Sequence, residues 1–365
     1  MTKNASSRGV SRRHVIAASA AAPLAAPAIA HAQDRIDWTM VTAWPAGAPG
    51  VGVNAQRFAD RVEAMSGGRI AIKLYAAGEL VPPFECLDAV EQGTADLAHG
   101  TPYYWAGKAS ALHFFTGVPF GMTALEMTCW IRFGGGQELW REVYAPFGVV
   151  PFYAGSSGVQ AGGWFNRPIE SVDDFQGLKF RSAGLGADVL KRLGVEPVLM
   201  APGDIFTALT SGQVDGADWV GPWNDLAFGL NKVAQFYYMP GFHEPGPSVE
   251  VIVNQARYDE LPDDLKAIVA AAAEATALET TADFQYHNTK TFPTLRDDPG
   301  IEIRHWPAEV VERVRLETAA VLKELGATDE LTRRVYESHM AYLGEAVTYA
   351  PWSELGYLAM RQGDG

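Results

Sequence analysis

Six histidines lie beyond the amino-terminal segment, at positions 99, 113, 243, 287, 305 and 339, and no two form the H-x-x-x-H or H-E-x-x-H pair that sets zinc ligands on one helical face. No G-x-S-x-G nucleophile turn is present. Gly134-Gly135-Gly136 is followed by neither lysine nor Ser/Thr, and Gly184-Leu185-Gly186 lacks the third glycine of a dinucleotide fingerprint, so phosphate cradles are excluded. Cys86 and Cys129 are the only cysteines; an oxidising compartment would permit one disulfide between them, but a chain this long is stable without it, and unpaired thiols without a redox role are expected. What remains is the chemistry of binding a charge. The Arg181 guanidinium is permanently charged and can hold a carboxylate through two parallel hydrogen bonds, fixing both its place and its orientation. By residue type alone, an arginine closing a strand is more often a surface ion-pair residue, and Asp218 and Glu244 are more often separate surface acids. Tyr103, Tyr104, Trp164, Trp219, Trp223 and Phe242 lie near these positions in sequence, and a cleft walled by rings suits a small ligand, with Trp219 and Tyr104 the expected contacts.

Such residues need a scaffold. Apolar alternation predicts strands over 36–42, 69–75, 95–100, 149–153, 160–166, 178–181, 196–200 and 301–306, with helices over 53–65, 83–92, 124–133 and 186–193 between them. Strands alternating with helices of this length give an α/β fold with largely parallel sheets, and two such sets in one chain give two lobes. The β-branched run 247–254 returns the chain to the first lobe. The Ala-rich stretch from 262 to about 291 predicts a helix of roughly 45 Å, long enough to span both lobes, and helices over 308–325 and 329–349 finish the chain. The expected boundaries are 33–158 with 249–285 for lobe I, 159–248 with 286–326 for lobe II, and 327–365 for the C-terminal helices. Lobes joined by several crossings close by hinge motion, with the cleft between them as the binding site.

The stretch N-R-P-I at 166–169 followed by D-F-x-G-x-K-x-R at 174–181 resembles the signature of substrate-binding proteins of tripartite ATP-independent periplasmic (TRAP) transporters. The likeness continues in order through G-E-L at 78–80, Y-Y-W at 103–105, L-G-V at 193–195, G-D-I-F-T-A-L at 203–209, V-D-G-A-D-W-V-G-P at 214–222 and Y-M-P-G at 238–241, and is strongest to the branch binding 2-oxo monocarboxylates. The resemblance implies a two-lobe periplasmic binding protein of type II-like architecture, with a hinge, a lobe-spanning helix and a helical C-terminal extension. It places Arg181 on the carboxylate, with Gln160, Trp219, Tyr103 and Tyr104 around the substrate. It also implies a cation held by side-chain oxygens of Gln160, Asp218 and Glu244 and by the backbone carbonyl of Trp219; oxygen donors of this kind suit Na⁺ or Ca²⁺. The related oxo-acid binders carry glutamate where this chain has Asp218, one methylene shorter, which leaves the metal's identity open.

The first thirty-two residues read as an export leader of twin-arginine type, with Arg12-Arg13 ahead of the apolar run 15–30 and a mature start near Gln33, which implies the periplasm. Removing Lys3, Arg8, Arg12 and Arg13 leaves 25 of the 29 basic residues against 43 acidic ones, a formal charge of −18 that disfavours nucleic acid and anionic membrane surfaces. The expected partners are a small carboxylate and the TRAP membrane permease, with a homodimer through the apolar C-terminal helices as an alternative to their packing on the lobes. Two other readings stand beside this one: an exported cofactor-dependent enzyme, against which the missing cofactor motifs count, and a binding protein feeding a sensor kinase.

Overall fold

The computed structural model describes residues 1–2 and 35–363; the expected leader's paired arginines, apolar run and cleavage site lie outside the described residues. Its strands are β1 (Ile36–Thr42), β2 (Ile70–Tyr75), β3 (Leu97–Gly100), β4 (Val149–Ser156), β5 (Gly163–Phe165), β6 (Lys179–Arg181), β7 (Glu196–Val198), β8 (Gly216–Ala217), β9 (Phe236–Tyr238), β10 (Ser248–Asn254) and β11 (Glu302–Arg304). They form a five-stranded sheet, β2-β1-β3-β10-β4, and a six-stranded sheet, β11-β9-β5-β8-β6-β7, one for each α/β set. The sheets are mixed rather than largely parallel, and the reversed strands have a common origin. β5 enters the second sheet after a crossing from β4, and β10 enters the first after a crossing from β9; each runs antiparallel to both its neighbours, whereas β1–β2, β1–β3, β6–β7 and β6–β8 are parallel pairs. The strand expected over 160–166 shrinks to β5 because Gln160 and Ala161 bond outside the sheet, Gln160 N–H to Glu244 O at 3.1 Å and Ala161 N–H to Val220 O at 2.9 Å.

β10 is buried from Ser248 to Val253, the pattern of a strand covered on both faces, and so reads from Val249 to Val253 as an unbroken apolar run with one exception, Glu250. The helix Ala124–Phe133 starts where its capping box dictates, with Thr123 and Glu126 satisfying each other's backbone donors. The long helix Asp263–Arg296 has acids in its first turn and Arg296 in its last, matched to the helix dipole. It touches both lobes: Arg57 of helix Val51–Met65 donates to Asp283 at 2.6 Å, and Asn288 accepts the Trp223 backbone N–H at 3.0 Å while His287 stacks on the Trp223 ring at 4.2 Å. Gly155, at φ 115°, lets β4 approach this helix; a Cβ there would sit 2.6 Å from Thr280 Cβ. Helix Glu330–Tyr349 packs on the first lobe through buried Val335, His339 and Leu343 and through a two-bond Arg334–Glu142 pair at 2.6 and 2.9 Å. The last helix, Glu354–Gln362, leaves Leu355, Tyr357 and Met360 exposed. Cys86 and Cys129 are both unpaired, and burial pushes the Cys86 thiol up to about 12.

Glu250 is fully buried in the first lobe, where its Oε1 accepts from Tyr144 Oη at 2.6 Å and Trp105 Nε1 at 3.1 Å while Oε2 has no partner. Burial raises its pKa to about 8, with the two donors opposing. The native state thus holds a proton that the unfolded carboxyl releases near its ordinary value, so this contribution to stability is complete below about pH 4.5 and is lost as pH rises toward 8. In urea denaturation, the wild-type protein should lose stability relative to Glu250→Gln by on the order of 1 kcal/mol per pH unit across that window. Parallel pH profiles for the two proteins would show that the carboxyl is ionised in the fold.

Candidate functional site

Arg181 is the last residue of β6, and Asp218 and Trp219 follow β8 beside it; parallel pairing of Arg181 with Ala217 puts the two chain ends side by side, and Asp218 N–H donates to Arg181 O at 3.0 Å. Across the cleft, Trp44 lies just past β1, and Tyr103 and Tyr104 lie on the single turn Pro102–Trp105 that follows β3. The carboxyl ends of parallel strands therefore supply the walls, the location where open α/β sheets bind ligands. Gln160 and Glu244 come from the two crossing segments, joined by the bond between Gln160 N–H and Glu244 O, while Gln160 O accepts from Gly241 N–H at 2.8 Å. The lobes meet here: the Trp44 ring, 5.8 Å from that of Tyr104 on its own side, lies 6.4 Å from that of Trp219 across the cleft, and Asn224 Nδ2 donates to Pro49 O at 2.8 Å.

Arg181 is 2% exposed, and its guanidinium is divided in use. Nη1 donates to Asp218 O at 2.8 Å and to Asp218 Oδ1 at 2.5 Å, whereas Nε and Nη2, the other edge of the fork, are buried without a partner. Asp218 Oδ2 accepts from Ser182 Oγ at 2.7 Å. His243 Nε2 lies 3.3 Å from the same oxygen but makes no hydrogen bond. Buried polar atoms without partners are uncommon in folded proteins, and here Gln160 Oε1, Trp219 Nε1 and Tyr104 Oη join the two guanidinium nitrogens. Such a concentration of unused donors and acceptors describes a site built for a polar guest.

Burial is the largest single influence on Arg181 and works against its charge, but Asp218, Tyr104, Tyr103 and Glu244 together more than offset it and the pKa is raised. Glu244 is pushed up to about 8, first by burial and then by Asp218, with Arg181 and a Tyr103 hydrogen bond opposing. Tyr103 is raised well above the phenol range by burial and then by Glu244. A second carboxylate charge in this pocket is therefore costly without a counter-ion. Among the described residues no three His, Cys, Asp or Glu side chains converge as metal ligands. The oxygen set of Gln160, Asp218, Glu244 and the Trp219 carbonyl has only two carboxylates, and its unpartnered Gln160 Oε1 suits a hard cation; soft-metal ligands are not part of it.

The structure gathers Arg181, Asp218, Glu244, Tyr103, Tyr104 and Trp219 in one buried cluster where the lobes meet, with Gln160 tied to it by its backbone bond to Glu244. The other three aromatics pack elsewhere: Trp164 of β5 stacks on its cross-strand partner Tyr237 of β9 at 4.1 Å, Trp223 packs on the long helix, and Phe242 stacks on Phe120 at 6.0 Å. Trp44, Ser182 and His243 are the residues that sequence reasoning missed. Trp44 had a usable signal, since it sits just beyond the first strand as Asp218 sits just beyond β8; its ring is fixed by Nε1–H donating to His99 Nδ1 at 2.8 Å.

A family model described as bacterial extracellular solute-binding protein, family 7, matches residues 40–329. The chain is 38% identical over 323 residues to a monocarboxylate 2-oxoacid-binding periplasmic protein of a Nostoc species, covering 88% of each chain. Among solved structures it is similar to a TRAP periplasmic solute-binding protein of Pseudoalteromonas atlantica with bound sodium and pyruvate, at TM-score 0.87 and 34% identity, covering 89% of this chain and 99% of that one. A TRAP protein of Colwellia psychrerythraea with bound calcium and pyruvate gives the same TM-score of 0.87, identity of 34% and coverage of 89% and 99%.

Proposed function

Because the chain belongs to the bacterial extracellular solute-binding proteins of family 7, the capture components of TRAP transporters, we propose that it binds a small 2-oxo or 2-hydroxy monocarboxylate and passes it to a membrane permease without chemical turnover. The observation that carries this reading is the unpartnered Nε and Nη2 edge of Arg181, held rigid by Asp218 on its far side and enclosed between the lobes. That edge is shaped to take both oxygens of one carboxylate. Gln160, Asp218, Glu244 and the Trp219 carbonyl would hold Na⁺ or Ca²⁺, and the cation would supply the positive charge that a bound carboxylate and an ionised Glu244 require. An oxo or hydroxyl oxygen beside the carboxylate would add one more hard donor, which accounts for a 2-substituted acid as the cargo. The cation-bearing relatives from Pseudoalteromonas and Colwellia, each holding pyruvate, support the same reading. Tyr103, Tyr104, Trp219 and Trp44 enclose the rest of the ligand.

Closure would bring together 33–158 with 249–285 and 159–248 with 286–326, hinged at the two crossing segments. Among the described residues no helix is long and apolar enough to cross a membrane. The exposed Trp352, Leu355, Tyr357 and Met360 favour self-association of two copies through the tail, for which a two-chain mass in light scattering is the test. For the ligand, calorimetry should rank pyruvate, 2-oxobutyrate and lactate well above acetate. Acetate binding as tightly as pyruvate would remove the role of the 2-oxygen.

A further inference from the structure

Asp225 lies outside the crevice, fully buried in helix Pro222–Ala227, yet it is bonded to the chain immediately after Trp219. Its Oδ1 accepts the backbone N–H groups of Val220 and Gly221, both at 3.0 Å. Its Oδ2 accepts Trp164 Nε1 at 3.0 Å and Tyr237 Oη at 2.9 Å. Four donors for two oxygens leave no work for a carboxyl proton, and although burial pushes the pKa up to about 6, the donors oppose it. Among the described residues the Met239–Pro240 bond is cis and the Trp219–Val220 bond is trans, which sets the N–H and C=O of that planar unit in opposite directions. With the Val220 N–H aimed at Asp225 in the interior of the second lobe, the Trp219 carbonyl must aim the other way, out of that interior. The next peptide repeats the arrangement: Gly221 N–H points to Asp225 and the Val220 carbonyl accepts from Ala161 N–H at 2.9 Å, next to Gln160.

We propose that Asp225 is the positioning residue that aims the Trp219 carbonyl into the crevice before any cation arrives. The inference rests on the cation reading above and adds a residue that touches neither cation nor carboxylate. It acts through two peptide planes, a form of preorganisation that spares the ion the work of ordering its own ligand.

The test compares calcium titration into metal-free protein with pyruvate titration in chelator, for wild type, Asp225→Asn and Tyr237→Phe. Asparagine offers one acceptor to four donors, so calcium affinity should fall at least about 10-fold while chelator-insensitive pyruvate binding, made by Arg181, stays within about 2-fold. Tyr237→Phe removes a donor from Oδ2 and leaves Oδ1 on both amides; its calcium affinity should match wild type even where its melting temperature drops, which separates aiming from bulk stability. Wild-type protein that takes up no calcium sinks the cation reading and this inference together. Calcium uptake by wild type with an equal affinity in Asp225→Asn overturns the role of Asp225 alone. Should that variant not fold, hydrogen exchange on metal-free wild type decides: protected amides at Val220 and Gly221 are expected, and free exchange that slows only after calcium is added would show that the ion, not Asp225, orders the turn.

Discussion

Replacing Arg181 by lysine should weaken pyruvate binding by at least about 2 kcal/mol, roughly 30-fold, with little change in the secondary structure of the ligand-free protein. Lysine keeps a positive charge beside Asp218 but is a point charge on a flexible stem, so it cannot hold Asp218 with one edge and a carboxylate with the other. Alanine is the harsher change, because it strands the Asp218 carboxylate in a pocket where that residue is 2% exposed, and breaking such a pair costs about 3–5 kcal/mol of folding stability. The lysine variant therefore isolates the ligand term. Calorimetry reads it directly, and undiminished affinity in the lysine variant would mean that the carboxylate binds elsewhere.

The second large effect concerns the counter-ion. Removing metals with a chelator should lower pyruvate affinity on the order of 100-fold, and adding back Ca²⁺ or Na⁺ should restore it. The reason lies in the pocket's own electrostatics: burial and Asp218 already penalise charge on Glu244, and a ligand carboxylate brings one more negative group into the same enclosed space. Glu244→Gln should reproduce most of the chelator effect and be insensitive to further chelation. Affinity that is identical in metal-free and metal-loaded protein would leave Arg181 as the whole of the anchor.

Much of this was readable from sequence, and the parts that were not share a cause. Helices 124–133 and 308–325 coincide with Ala124–Phe133 and Ala308–Leu325 because their start and stop signals are local. Helices Ile205–Ser211 and Pro222–Ala227 escaped because each is at most seven residues long and packed by distant partners, too short for periodicity to stand out. The directions of β5 and β10 also escaped, since a strand's own residues do not state from which lobe it arrives. In the site, Arg181 was visible through its motif, whereas Trp44 depends on His99, 55 residues away, and Ser182 and His243 gain meaning only once Asp218 stands between them. Asp225 was hidden for the same reason, its partners being spread from Trp164 to Tyr237.

Gln160 and Glu244 are carried by two of the three segments through which the chain passes from one sheet to the other, the third being the long helix. A graft that exchanged one whole half of this molecule with that of a relative would have two of its seams in the pocket, and any mismatch of residues there would change what is bound as well as how stiffly the halves swing. Recognition and mechanics are inherited together in this architecture, so new selectivity is better sought by altering the walls at Trp44 and Tyr104 than by trading halves.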